Sequence, residues 1–137
     1  VGPGIPDRMA LGSFIKQMRA IRSQGGKGKI VMGNIAIQRD FLSIKDAMHI
    51  YWKLLHAEEA FGKIVNVCSG KPTSLHSILS YLIEKSHYEV HIQQSSELMR
   101  SVDMETHYGD NRLLYELLGD MELTSLEESL DLIMEDL

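Results

Sequence analysis

The sequence predicts an α/β fold in which short strands alternate with about five helices. Several stretches carry apolar residues three and four positions apart, which is the spacing of one helix face. Shorter stretches between them are rich in valine and isoleucine and are bounded by glycine, serine or proline, which is typical of strands. The two patterns alternate along 137 residues, as they do in α/β proteins.

The first half of the chain contains two of the predicted helices. Helical spacing of apolar residues predicts a helix over about residues 7–22, and residues 29–32, a lysine followed by three apolar residues, predict a short buried strand. A second extended piece, residues 38–44, leads into the next helix, for which Asp46 is the expected N-cap and Gly62 follows the end. The apolar face of that helix consists of Ala47, Ile50, Tyr51, Leu54 and Leu55.

A strand, a helix and a further strand are expected next. Residues 63–68 form a β-rich run, and residues 88–93 alternate well enough for another strand. Thr73 or Ser74 can cap the helix between these two strands.

Two helices finish the chain. Asp110 is the expected cap of the first, which stops at Gly119. Ser125 and Glu128 have the spacing of a capping box, which places the start of the last helix beside them.

Composition excludes several classes of function. The net charge is −5 and the 14 lysines and arginines form no basic run, which argues against nucleic-acid binding. Apolar stretches are broken by charge within a few residues, so neither a membrane span nor a secretory signal is expected. The single cysteine, Cys68, cannot form an intramolecular disulfide, and a reducing compartment such as the cytoplasm is the simpler assumption.

Conventional catalytic and metal-binding signals are missing from the sequence. Gly25 and Gly26 follow a predicted helix instead of a strand, so they do not form a dinucleotide-binding turn. The six histidines do not cluster at metal-ligand spacing, and no metal site is expected. Cys68 lies in an apolar predicted strand and is expected to be an inert buried thiol.

The most informative polar residue is Arg39, at the start of the extended piece 38–44. Its planar guanidinium could bind a phosphate, or it could form a surface ion pair with Asp40 or Asp46, and spacing alone does not separate the two interpretations. Arg100 lies in a polar kink, for which the residues by themselves favour a solvated loop. Lys16 is most simply part of the exposed face of the first helix.

A series of short motifs, in a shared order over residues 2–137, carries a resemblance to a known family. The series is Gly2-Pro3-Gly4, Phe14-Ile15-Lys16-Gln17, Ile30-Val31-Met32-Gly33-Asn34-Ile35, Arg39-Asp40-Phe41, Asp46, Tyr51, Asn66-Val67-Cys68-Ser69-Gly70, Arg100 with Asp103, and Gly109-Asp110. In this order the chain resembles the second half of the nucleotide-sugar epimerases, dehydratases and reductases of the extended short-chain dehydrogenase/reductase family. Within it, the chain is most similar to members that act on GDP-mannose derivatives, the GDP-4-keto-6-deoxymannose reductase and the GDP-mannose 4,6-dehydratase.

The resemblance implies a fold and a domain assignment. Residues 1–137 would be the C-terminal, nucleotide-sugar-binding part of an extended Rossmann-type protein, with residues 63–68 as the last strand of its nucleotide-binding sheet. The N-terminal part, which holds NAD or NADP, would be absent from this chain.

It also implies roles for individual residues toward a nucleotide-diphosphate sugar. Arg39 matches the arginine that contacts the diphosphate or the nucleoside, and Arg100 matches a second arginine that closes over the nucleotide. Asp103 matches the aspartate that helps to fix the ribose or that loop, and Lys16 is expected near the phosphates.

The family's dinucleotide fingerprint and its catalytic tyrosine and lysine precede the region that this chain resembles, so the chain alone is expected to be inactive. Tyr81 and Lys85 match the bare tyrosine–lysine spacing, but a surface position is expected for both. The alternative is a stand-alone interaction or regulatory domain without catalysis. If residues 63–68 lack their partner strands, an exposed edge should also cause self-association.

Overall fold

A computed structural model describes residues 1–99 and 104–135 of the chain. Within them the helices are α1 (Ala10–Ser23), α2 (Ile44–His56), α3 (Leu75–Ser86), α4 (Arg112–Leu118) and α5 (Leu126–Glu135). The strands are β1 (Lys27–Met32), β2 (Gln38–Asp40), β3 (Pro72–Ser74), β4 (Glu89–Gln94) and β5 (Thr106–His107). These helices and short strands confirm the predicted α/β class.

The strands form two small sheets. β1 and β4 pair in parallel, with Lys27 opposite Glu89 and Met32 opposite Gln94. β2 is the central strand of the other sheet, antiparallel to β3 and parallel to β5. Arg39, in the middle of β2, therefore has a neighbouring strand on each side.

The hydrophobic core lies between the β1–β4 sheet and helices α1, α3 and α5. Phe14 and Met18 of α1 and Leu79 and Leu82 of α3 are completely buried. These residues stand three or four positions apart along their helices, which is why the helical spacing in the sequence identified them. Ile37 and Phe41, on either side of β2, are partly buried and pack against this core.

The free edge of β1 is covered by a side chain. The amide of Gln17 donates from Nε2 to the carbonyl oxygen of Val31 at 3.1 Å and accepts from the N–H of Val31 at 2.8 Å. An amide group can make this pair because it carries a donor and an acceptor side by side. Gln17 thus takes the place of a neighbouring strand at one residue of β1.

The expected N-cap of α2 is wrong. The helix is capped by Ser43, whose hydroxyl accepts from the N–H of Lys45 at 3.2 Å. Asp46 lies in the first turn instead, where its buried carboxylate accepts hydrogen bonds from Thr124. Serine and aspartate are both good N-caps, and Asp46 accepts instead from a residue 78 positions away.

The predicted caps of α3 and α5 are confirmed, and that of α4 is wrong by one residue. Ser74 caps α3 by accepting from the N–H of Ser77 at 3.1 Å, and Ser125 and Glu128 form the predicted capping box of α5. The cap position of α4 is Asn111, one residue after the expected Asp110. Asp110 still accepts from an N–H in the first turn, that of Arg112, at 3.0 Å.

Residues 63–68 are not assigned to a strand. The side chain of Ile64 is 94% exposed, and only Ile50 of the predicted apolar face of α2 is buried. On the same helix Tyr51, Trp52 and Leu55 are each more than half exposed. The pairing of residues 63–68 with a sheet outside this chain therefore stays a prediction.

Candidate functional site

Arg39 is half-buried at the centre of the three-stranded sheet. It lies opposite Thr73 of β3 and His107 of β5. Its Nη1 atom donates to the carbonyl oxygens of Gln38 and Met104, both at 2.7 Å. Because these bonds use two acceptors on different segments, the guanidinium is held where β2 meets the chain that leads into β5.

The two carboxylates considered as ion-pair partners of Arg39 both accept bonds from other groups. Asp46 accepts from the backbone N–H of Thr124 at 2.8 Å and from its hydroxyl at 2.9 Å. Asp40 accepts from backbone N–H groups of the loops beyond β2. Both carboxylates therefore hold other parts of the chain together, whether or not either one also pairs with Arg39.

The contacts of Asp40 were not identified from the sequence. Its oxygens accept from the N–H groups of Ser69 at 2.8 Å, Gly70 at 2.9 Å and Gly109 at 3.3 Å. The donors lie 29, 30 and 69 positions away in the chain. The sequence offered one indication of these contacts. Asp40 follows Arg39 directly, and adjacent residues of a strand face opposite sides, so Asp40 should contact different groups from Arg39.

The loops that Asp40 contacts are also tied to each other. The Nδ2 of Asn66 donates to the carbonyl oxygen of Asp110 at 3.1 Å, and the Nδ2 of Asn111 donates to that of Ser69 at 3.0 Å. A Cβ at Gly109 would lie 2.8 Å from the Cβ of Cys68 and closer still to its sulfur, so only glycine fits there. The two loops form one hydrogen-bonded unit.

Cys68 lies inside this unit. Partial burial raises the pKa of its thiol, and the negative charge of Asp40 adds to the increase. A thiol with a raised pKa is protonated at neutral pH and is a poor nucleophile. The expected burial in a strand is wrong, since Cys68 is only partly buried and lies in a bend, and its inertness stays a prediction.

The other expected site residues have separate positions. Lys16 lies on the exposed side of α1, where its Nζ is 3.0 Å from an oxygen of Asp7 and its side chain is 69% exposed. This is the exposed helix face that the spacing predicted, and a role near phosphates stays a prediction. Arg100 and Asp103 lie outside the described residues.

Tyr81 and Lys85 join helices α3 and α5. The hydroxyl of Tyr81 donates to Asp131 at 2.7 Å, and Nζ of Lys85 lies 3.5 Å from the same carboxylate oxygen. The hydrogen bond to Asp131 raises the pKa of Tyr81. A tyrosine that transfers protons near neutral pH needs the opposite shift. Tyr81 is partly buried against the core, and the absence of a catalytic role for the pair stays a prediction.

The described residues do not fit a nicotinamide dinucleotide. Gly25 and Gly26 lie between α1 and β1. The N–H of Gly26 donates to the carbonyl oxygen of Ile21 at 2.9 Å, at the end of α1. A dinucleotide site needs free N–H groups at a strand-to-helix turn. Within residues 1–99 and 104–135, no group of three or more metal-ligating side chains could hold a metal ion.

Comparison with known proteins identifies the family. The family model described as GDP-mannose 4,6 dehydratase matches residues 6–133. The chain belongs to this family. The match covers all five helices up to Ile133 of α5, which confirms the resemblance carried by the ordered motifs.

Two curated relatives of this family member are enzymes named for GDP-sugars. The GDP-6-deoxy-D-mannose reductase of Pseudomonas aeruginosa is 27% identical over 136 residues, which is 99% of this chain and 44% of the relative. The GDP-6-deoxy-D-talose 4-dehydrogenase of Aggregatibacter actinomycetemcomitans is 30% identical over 103 residues, which is 74% of this chain and 35% of the relative. The chain thus spans less than half the length of either relative.

A solved structure has the same fold. The structure of RMD from Pseudomonas aeruginosa complexed with NADPH superimposes with a TM-score of 0.86 at 28% identity, over 99% of this chain and 44% of that one. The relative in that structure therefore carries a nicotinamide cofactor.

In the described part of the present chain, no helix has both the length and the apolar character needed to cross a membrane.

Proposed function

We propose that this chain is the nucleotide-sugar-binding part of a longer NAD(P)-dependent enzyme, called the parent below, which acts on a GDP-mannose derivative. The observation that carries the proposal is the family match over residues 6–133, since both relatives above are named for GDP-sugars. The coverage of 44% of the reductase supports a chain that needs a second part to be complete. A lone thiol suits the cytoplasm, where we place the parent.

Arg39 is the residue that we assign to the nucleotide diphosphate. Its backbone lies in a central strand and its Nη1 is bound by two carbonyl oxygens, so the guanidinium has a defined position. A positioned guanidinium presents parallel donors that match phosphate oxygens. Its contact with Met104 also brings it to the segment that follows Arg100 and Asp103, which we assign to closing over the nucleotide.

Lys16 has a lesser part in the proposal. Its flexible ammonium is paired with Asp7 at an exposed position, and it could reach a phosphate only by giving up this pair. Exposed pairs of this kind contribute little free energy, about 0–1 kcal/mol, so the exchange would cost little. We assign Lys16 a long-range electrostatic role toward the phosphates.

We place hydride transfer in the part of the parent that this chain lacks. That part would hold NAD or NADP together with the catalytic tyrosine and lysine, because the described residues do not fit the cofactor. The substrate-binding half would position the sugar against it, and positioning can contribute several kcal/mol to lowering a barrier. This chain alone should therefore show no oxidoreductase activity.

Exposed apolar side chains support the proposal that a second part of the parent covers this chain. Met48, Tyr51, Trp52 and Leu55 lie on one face of α2 and are each at least 57% exposed. Ile64, within residues 63–68, is 94% exposed. Exposed apolar patches of this kind mark interfaces, and residues 63–68 belong to no strand within the part of the chain that the structure describes. In the parent, we assign residues 63–68 to a sheet of the other half and α2 to the cover of that sheet; the isolated chain should self-associate through the same surface.

A stand-alone interaction domain is the second candidate, because the same apolar surface would also suit a binding partner. The two functions differ in ligand binding. A stand-alone domain would have no affinity for GDP-sugars or UDP-sugars, whereas the substrate-binding part of an enzyme would lose affinity when Arg39 is changed.

The test is Arg39→Ala in the parent, with Arg22→Ala as the matched control. Arg22 is exposed at the end of α1, so its replacement removes the same charge away from β2. We expect Arg39→Ala to weaken GDP-mannose binding by about 10- to 100-fold, since hydrogen bonds to charged groups contribute about 1.5–3 kcal/mol. NAD(P) binding should not change. Unaltered sugar-nucleotide affinity would overturn the assignment.

A further inference from the structure

We propose that Asp40 is a positioning residue: its carboxylate links the loop that follows residues 63–68 to the strand that carries Arg39. It thereby sets the position of Arg39 relative to the sheet that residues 63–68 would join. The inference rests on the proposed function, because it concerns the same sugar-nucleotide site.

The contacts of Asp40 come from both sides of β2. Ser69 and Gly70 stand just before β3, and Gly109 stands just after β5, so the donors belong to the connections of both flanking strands. Oδ1 accepts from Ser69, and Oδ2 accepts from Gly70 and Gly109. One half-buried side chain thus closes the end of the three-stranded sheet.

The shortness of β2 makes this closure relevant to Arg39. The strand has three residues, and Asp40 directly follows Arg39. A displacement of the Asp40 backbone must therefore move the neighbouring Arg39 as well. Because the guanidinium of Arg39 also bonds to the carbonyl oxygen of Met104, such a movement would disturb the segment before β5.

The two hydrogen-bonded loops, around residues 66–70 and 109–111, extend the connection from Asp40 to residues 63–68. Asn66 and Asn111 tie the two loops together, and both loops bond to Asp40. Residues 63–68 run directly into Ser69, the donor at 2.8 Å. If residues 63–68 belong to the sheet beside the cofactor, Asp40 is a direct connection between that sheet and the substrate arginine.

A carboxylate is the group that this arrangement requires. Ionised aspartate only accepts hydrogen bonds and has lone pairs for all three N–H groups, whereas asparagine offers one oxygen and a competing NH₂ donor. Asp40→Asn keeps the size of the side chain and therefore tests the hydrogen-bonding pattern. Misplacement of a positioning group by about 1 Å can cost about 100-fold in rate.

The chain offers a matched control in Asp46→Asn. Asp46 is buried, whereas Asp40 is half-buried, and it also accepts from a backbone N–H, but it connects α2 to the segment before α5. If Asp40 were merely structural, both variants would lower Tm and leave the kinetics of the folded enzyme alike. A positioning role predicts a difference in kinetics between them.

The decisive experiment measures the parent and both variants at a temperature at which all three are folded. Asp40→Asn should lower kcat/KM for the sugar nucleotide at least 10-fold with unchanged NAD(P) affinity, while Asp46→Asn should stay within about 2-fold of the wild type. Equal kinetics of the two variants would overturn the positioning role. If Arg39→Ala weakens sugar-nucleotide binding and Asp40→Asn changes nothing, only this inference fails.

Amide hydrogen exchange tests the contacts without a ligand. Asp40→Asn should accelerate exchange at Ser69, Gly70 and Gly109, and Asp46→Asn should not. Unchanged exchange at these three amides would overturn the inference by itself. If the wild-type parent binds no sugar nucleotide, the proposed function fails and the positioning role fails with it, even where exchange shows that the contacts exist.

Discussion

Thr124 donates both its backbone N–H and its hydroxyl to the carboxylate of Asp46, at 2.8 and 2.9 Å. The two residues lie 78 positions apart, so this contact joins the first turn of α2 to the residues before α5. Asp46→Ala should lower the free energy of unfolding by about 2–3 kcal/mol, since a partly buried N–H and hydroxyl lose a charged acceptor. Chemical denaturation measures this change.

Thr124→Val provides the companion variant, because it removes the hydroxyl and keeps the N–H donor. It should cost about 1 kcal/mol, and its effect should largely disappear in the Asp46→Ala background. Additive effects in the double variant would show that the two side chains do not stabilise the fold through each other.

Gln17 provides a second test of the scaffold. Gln17→Leu removes both bonds to Val31 and leaves a backbone donor and acceptor of β1 without this partner. The free energy of unfolding should fall by about 1–3 kcal/mol. Gln24→Leu, at the exposed C-cap of α1, is the control and should change stability by less than about 0.5 kcal/mol. Equal effects of the two variants would contradict the edge-covering role.

The apolar surface of α2 should control self-association. Trp52→Ser replaces a side chain that is 65% exposed, so it should reduce association of the isolated chain with little loss of stability. Ile50→Ala, on the buried side of the same helix, should instead cost about 2–5 kcal/mol. Sedimentation velocity and denaturation separate the two effects. A wild-type chain that stays monomeric at high concentration would contradict this prediction.

Glu128 gives a pH-dependent prediction. The backbone N–H of Ser125 and then its hydroxyl lower the pKa of this carboxyl below 4.5. The bonds between Ser125 and ionised Glu128 therefore stabilise the fold above the pKa that Glu128 has in the unfolded chain. This contribution is lost as the pH falls through the lower pKa that Glu128 has in the folded protein. Ser125→Ala should raise the pKa of Glu128 toward 4.5 in an NMR titration. An unchanged pKa would show that the hydroxyl does not contribute.

Local features were the ones that the sequence predicted well. Ser74 and the Ser125–Glu128 pair have their partners within three residues, so spacing alone located them. Asp46, the expected cap of α2, was wrong: Ser43 caps the helix, and the partner of Asp46 lies 78 positions away. Residues outside local patterns carry no such signal.

The candidate site shows the same division. Arg39 was selected through an ordered resemblance, because a single strand residue has no distinguishing spacing. Asp40 was considered only as an ion-pair partner of Arg39, because its three donors converge only after the chain has folded. The strand expected at residues 63–68 has a typical composition but no pairing partner within residues 1–99 and 104–135, and composition cannot supply a partner.

The central claim is that this chain supplies the sugar-nucleotide site of its parent through Arg39. Calorimetric titration of the parent with GDP-mannose, with UDP-glucose as the comparison, tests it most directly. The account predicts that GDP-mannose binds more tightly than UDP-glucose and that Arg39→Ala weakens its binding by about 10-fold or more. No binding of GDP-mannose, or equal affinity of the wild type and the Arg39→Ala variant, would contradict it.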